Sequence, residues 1–138
     1  MSARDALHET VRKALEKAGW TITADPLRVV YGSDVMLVDL GAERLIAAER
    51  GGERIGVEIK GYTDTTNING FHSVIGQYIN YRLAMKTTHP DHQLVLAIPE
   101  EVFNTFFKRD FAQLAVKENK ILLFVFDPKD EVIVHENR

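Results

Sequence analysis

The chain has 138 residues, 45% of them hydrophobic and 27% charged, which suits one globular domain over 1–138 with a single core. The absence of cysteine excludes a disulfide framework, a thiolate metal site and a thiol nucleophile and suits a reducing, cytoplasmic compartment, while no apolar run is long enough to span a bilayer. A formal net charge of -3 argues against tight unaided binding to duplex DNA, although an acidic chain can still work on DNA where metal ions neutralise its site carboxylates.

Over 3–18 the apolar residues Leu7, Val11, Ala14, Leu15 and Ala18 recur at helical spacing. Ser2 stands three residues before Asp5 as a cap, and Gly19 ends the helix. A short strand is expected over 20–23, a turn at Asp25-Pro26 and a second strand over 34–40. The runs 44–50 and 53–60 flank Gly51-Gly52 and read as a tight hairpin. From 66 to 86 the period is again that of a helix, with Phe71, Val74, Ile75, Tyr78, Ile79 and Met85 on one stripe. A strand over 93–98 follows, then a helix with Pro99 in its first turn, a further helix within 107–119 and an apolar strand over 121–126. A turn at Pro128 leads to an edge strand over 131–135. This order predicts an α/β fold with a mixed central β-sheet flanked by helices.

The hairpin carries the chemistry. With Gly51 and Gly52 as the turn, Arg50 faces Glu53, Leu45 faces Glu58 and Glu43 faces Lys60. Alternation then sends Gly56, Glu58 and Lys60 to a polar face shared with Glu43, and Ile55, Val57 and Ile59 to the core. Asp39 lies four residues before Glu43, with Gly41 between them to allow a bend toward the same place. Glu58, with Asp39 or Glu43, thus offers hard oxygen ligands to Mg²⁺ or Mn²⁺. Such an ion lowers the pKa of a bound water and steadies charge on a phosphate. Lys60 is placed to orient or deprotonate the water and to stabilise the transition state. Gln77 and Tyr81, four apart on the following helix, share a face from which an amide and a phenol reach the same region.

A lone Glu-x-Lys step is usually the solvated face of an edge strand, and a tyrosine beside an apolar stripe is usually core. The ordered set, with an acid on the first strand, Glu58 and Lys60 on the second, then Gln77 and Tyr81, is what points to metal-dependent cleavage of nucleic acid. Glu9 lies opposite the apolar face of the first helix and is expected in solvent; His8 flanks that face.

That set resembles the PD-(D/E)XK nuclease superfamily, whose core is restriction-endonuclease-like, over about 3–126. Glu58-Ile59-Lys60 matches the (D/E)xK step and Gln77 with Tyr81 the QxxxY helix signature, while the literal Pro-Asp pair is lacking. Asp39-Leu40-Gly41-Ala42-Glu43, Val57-Glu58-Ile59-Lys60, Phe71-His72, Gly76-Gln77 and Asn80-Tyr81 more closely resemble the XisH family, named for control of excision of the fdxN element. The resemblance implies a part in programmed site-specific DNA rearrangement, with DNA, a recombinase and a small XisI-like companion protein as partners. Two functions are then open. One is a Mg²⁺-dependent endonuclease with Glu58, Lys60, Gln77 and Tyr81 as catalytic residues; the other is a non-catalytic excision control factor that binds the recombinase or companion. An edge strand near Val132 offers a route to a homodimer.

Overall fold

A computed structural model describes residues 2–47 and 51–137. The first helix, α1 (Ala3–Lys17), is capped as its sequence predicts: the Ser2 hydroxyl accepts from the Asp5 N–H at 3.1 Å and the Asp5 carboxylate accepts from the Ser2 N–H at 3.4 Å. The chain continues through β1 (Thr21–Ala24), β2 (Leu27–Tyr31), β3 (Asp34–Val38), β4 (Leu40–Ala47) and β5 (Gly51–Ile59). A 3-10 turn (Tyr62–Thr65) leads into α2 (Ile68–Thr88), then β6 (Gln93–Pro99), α3 (Glu100–Asn104), α4 (Asp110–Glu118), β7 (Leu122–Asp127) and β8 (Val132–Asn137). No helix among the described residues is long and apolar enough to cross a membrane.

The result is a mixed α/β fold with a central sheet in the order β1-β4-β5-β6-β7-β8. The β5–β6 and β6–β7 pairs are parallel and the others antiparallel. Helix α1 covers one face through Val11 and Leu15, packed with Trp20, Leu40, Ile55, Val57, Phe124 and Phe126. On the other face α2, the β2–β3 hairpin, α3 and α4 enclose Leu27, Val29, Val38, Phe71, Tyr78, Met85, Leu96 and Leu123. Burial on both faces explains why β6 is apolar almost without interruption.

One strand is added to those expected and three expectations are corrected. The segment 27–31 is a strand, folded against β3 in a hairpin of its own with Gly32 at φ +60° in the turn; its alternation is short, and only Leu27 and Val29 are buried. The single strand expected over 34–40 is broken at Asp39, after which β4 starts at Leu40. Finally, Gly51 and Gly52 belong to β5, opposite Ala47 and Leu45, so the β4–β5 pairing sets Glu43 opposite Arg54 and Arg44 opposite Glu53. The expected partner of Glu53, Arg50, lies outside the described residues. Pro99 ends β6 and caps α3 rather than entering its first turn.

Two features seat α2 on the sheet. Gly56 leaves room for it, since a Cβ there would stand 3.0 Å from Met85 Cε and 3.2 Å from Leu27 Cδ2. Tyr78, fully buried, donates its hydroxyl hydrogen to the Leu94 carbonyl at 2.6 Å and accepts from the Leu122 N–H at 3.2 Å, joining β6 to β7 at the mouth of their ladder.

Candidate functional site

The site forms where β4 begins and β5 ends. Because Leu40 pairs with Val57, the bend residue Asp39 comes to lie beside Glu58. The two are locked reciprocally: the Ile59 N–H donates to Asp39 Oδ2 at 2.8 Å, and the Asp39 N–H donates to Glu58 Oε1 at 3.3 Å. Side chains thus continue a ladder that the main chain has left. The Lys60 N–H donates to the Ala97 carbonyl at 3.0 Å, which holds Lys60 in line with β6 and sets its ammonium 3.5 Å from Glu58 Oε2.

The expected polar face is therefore not solvated. Glu58 is 3% exposed, enclosed on the α2 side of the sheet, and the Lys60 side chain is 17% exposed. Burial, reinforced by the Asp39 charge, pushes the Glu58 carboxyl up to about 7, against the opposing pull of the Lys60 ammonium and the Asp39 N–H. Tyr81 is raised as well, first by burial and then by the field of Glu58, which puts the phenol within reach of the same charges. Gln77 Nε2 donates to the Tyr81 oxygen at 3.1 Å, and Gln77 Oε1 is buried with no hydrogen-bond partner. Such an unpaired buried acceptor is costly in a finished core and common where a site awaits a ligand or water.

Asp39, Glu58, Lys60 and Tyr81 are thus brought together, with Gln77 joined through Tyr81. Glu43 is not among them: its rung lies four residues from that of Asp39, roughly 13 Å along the strand, where its half-exposed carboxylate pairs with Arg54 at 3.6 Å. The reason is the register. The pairing differs by six residues from the two-glycine turn, an even slip that keeps the face and changes the neighbours.

A cleft of about 410 Å³ opens beside Asp39 and Lys60, lined also by Arg4, His8, Tyr62 and Asp64. No sequence pattern points to Arg4, whose 86% exposed side chain reaches to 3.8 Å from Asp39 Oδ1. His8 Nε2 lies 2.8 Å from Asp25 Oδ1, and Arg12 bonds the other oxygen of Asp25 at 2.5 Å, so the histidine is fixed at the cleft wall. Glu9 is exposed, as expected from the helical wheel.

The donor set fits a hard divalent cation. Among the described residues no group of three or more His, Cys, Asp or Glu side chains converges, but Mg²⁺ takes one or two carboxylates and fills its remaining positions with water and substrate oxygens. Asp39 Oδ1 and Glu58 Oε2 are not engaged by the backbone bonds that fix their partner oxygens.

The XisH protein family model matches residues 1–134. An XisH family protein of Nostoc punctiforme, known from its crystal structure, is 37% identical with a TM-score of 0.86, over 97% of this chain and 100% of that one. A fdxN element excision controlling factor protein of Anabaena variabilis is 38% identical with a TM-score of 0.88, over 98% and 100%. A search of curated proteins returns no match. With the family model spanning nearly the whole length and two solved relatives superposing end to end, the chain belongs to the XisH family.

Proposed function

We propose that this chain is a metal-dependent DNA endonuclease of PD-(D/E)XK type that acts in programmed site-specific DNA excision. The excision role rests on the family and on the fdxN element excision controlling factor of Anabaena variabilis. The cleavage role rests above all on the reciprocal bonding that holds Asp39 and Glu58 with Lys60 at the cleft.

When bound, Mg²⁺ or Mn²⁺ supplies a water of lowered pKa and neutralises charge on the phosphate. Asp39 and Glu58 present the oxygens that bind it. Lys60 orients the attacking water and faces the negative charge that develops on the phosphoryl oxygens. Tyr81, steadied by Gln77, adds a phenolic hydrogen bond on the α2 side. Arg4, at the exposed lip of the cleft, contacts the DNA backbone. The test is nicking of supercoiled and branched DNA with Mg²⁺ or Mn²⁺, wild type beside Lys60→Ala and a chelator control. Metal-dependent nicking that Lys60→Ala abolishes supports the proposal; equal nicking by both proteins rules it out.

A second reading, a non-cutting control factor that binds a recombinase or an XisI-like companion, draws on the β2–β3 hairpin. Its outer face carries Val30, Val35 and Leu37 exposed together, an apolar surface of the kind that marks protein contacts. A Val35→Glu/Leu37→Glu protein that cleaves normally but no longer supports excision would favour this reading.

A further inference from the structure

A second concave surface lies on the far side of α3 and α4. It is a groove of about 430 Å³ between α4 and β8, and no residue that lines it belongs to the cleft beside Lys60. Phe103, Phe107 and Leu123 form its floor, and Lys108, Lys117 and Lys120 stand around it without a single carboxylate among the lining residues. On a chain with 20 acidic residues and a net charge of -3, such a one-signed rim is a local reversal of the field. None of these three lysines forms an ion pair among the described residues. Lys108 instead rests 4.3 Å over the Phe103 ring.

One wall of the groove is β8, the last strand of the sheet, with no strand on its outer side among the described residues. His135 and Asn137 turn from it into the groove. Asn137 is pinned by accepting from the Leu123 N–H and donating to the Ile121 carbonyl, so this wall is fixed.

We infer that this groove binds an extended acidic peptide segment of a partner protein, which adds to the edge of β8, seats one bulky apolar side chain on the Phe103–Phe107–Leu123 floor and sets flanking carboxylates against Lys108, Lys117 and Lys120. Strand addition supplies main-chain hydrogen bonds and alternate side chains supply selectivity. The six residues of β8 span roughly 20 Å, enough for a segment of about six residues. A nucleic acid is the poorer fit. Base stacking needs a free aromatic face, whereas Phe107 is buried and Phe103 is covered by Lys108 and by His135, 5.2 Å between ring centroids.

The experiment is selection of the full chain against a randomised ten-residue display library, then fluorescence anisotropy with the selected synthetic peptides. The expected sequences carry at least two acidic residues around an apolar one. Their affinity should fall at least ten-fold for Lys108→Glu/Lys117→Glu and stay unchanged for the charge-matched Lys86→Glu/Lys129→Glu control, both checked for folding by circular dichroism. Several results would overturn the inference: no enrichment, enrichment of basic or uncharged sequences, equal binding by the groove variant, or undiminished binding after the apolar residue is replaced by glycine. So would a single-stranded oligonucleotide that binds as tightly and is lost in the same variant, or self-association of the chain that this variant abolishes. None of these outcomes depends on DNA cleavage.

Discussion

At the Ile59 end of β5, Glu58 is enclosed on the α2 side of the sheet with the Lys60 ammonium 3.5 Å away at the cleft; at the Arg54 rung of the same strand, Glu43 and Asp91 meet Arg54 in the open. Both ends hold carboxylates and one cation, yet their proton affinities move in opposite directions. Burial pushes Glu58 up to about 7, whereas hydrogen bonds from His92 and Arg54 hold Asp91 down to about 2. Charge composition alone therefore does not mark a site. What separates the two ends is desolvation, and on this chain α2 imposes it at one end only.

The strongest test of that contrast is chemical. We predict that Lys60→Ala lowers metal-dependent nicking by about 10³-fold, on the scale seen when a transition-state contact is removed, while Arg54→Ala leaves it within about two-fold. A comparable loss from both variants would mean that the buried end is not special.

Next comes pH. The folded state holds the Glu58 proton more tightly than the unfolded chain does, so the stability it contributes is full below about 4.5 and is lost as pH rises through about 7. The shift corresponds to about 3 kcal/mol. In urea melts from pH 4 to 8, wild type should lose stability relative to Glu58→Gln across that window, and Mg²⁺ at pH 8 should raise the wild-type midpoint but not that of the variant. Parallel pH profiles for the two proteins would contradict the desolvation account.

A smaller effect probes how α2 is seated. Tyr78→Phe leaves the Leu122 N–H and the Leu94 carbonyl without their shared partner, at an expected cost of about 2 kcal/mol in the same melts. The Glu58 pH dependence should shrink with it if α2 loosens. The smallest effect belongs to the open end. For Asp91→Asn we expect no resolved change in midpoint at pH 7, because an exposed pair gains little and salt screens it. A clear loss there would mean that the Arg54 cluster is more than surface.

Much of this fold is legible in the amino-acid sequence. The capping box of α1, the α2 stripe and the apolar β6 and β7 all follow from local chemistry that tertiary packing left undisturbed. Glu58 and Lys60 share a face because strand alternation is robust to an even slip in register, whereas Asp39, expected there through a bend at Gly41, lies beside Glu58 because Gly41 and Leu40 pair regularly with Gly56 and Val57. Glu43 misled because Gly-Gly resembles a two-residue turn, whereas both glycines continue β5; the choice between the two acids turned on where the hairpin closes. Arg4 and His8 could not be found this way, since their place at the cleft depends on how α1 crosses the sheet. That the polar face of Glu58 is covered was not legible for a related reason: sequence gives the face of a strand but not what will cover it.

The exchange of hydrogen bonds between Asp39 and the Glu58–Ile59 segment has a consequence for genetics. These two carboxylates are joints of the framework as well as candidate ligands, so an inactive allele at either position is ambiguous between lost chemistry and a frayed strand end. Lys60 hangs from its backbone by the Ala97 rung, which every residue except proline keeps, so an allele there speaks for the ammonium group and its pairing with Glu58.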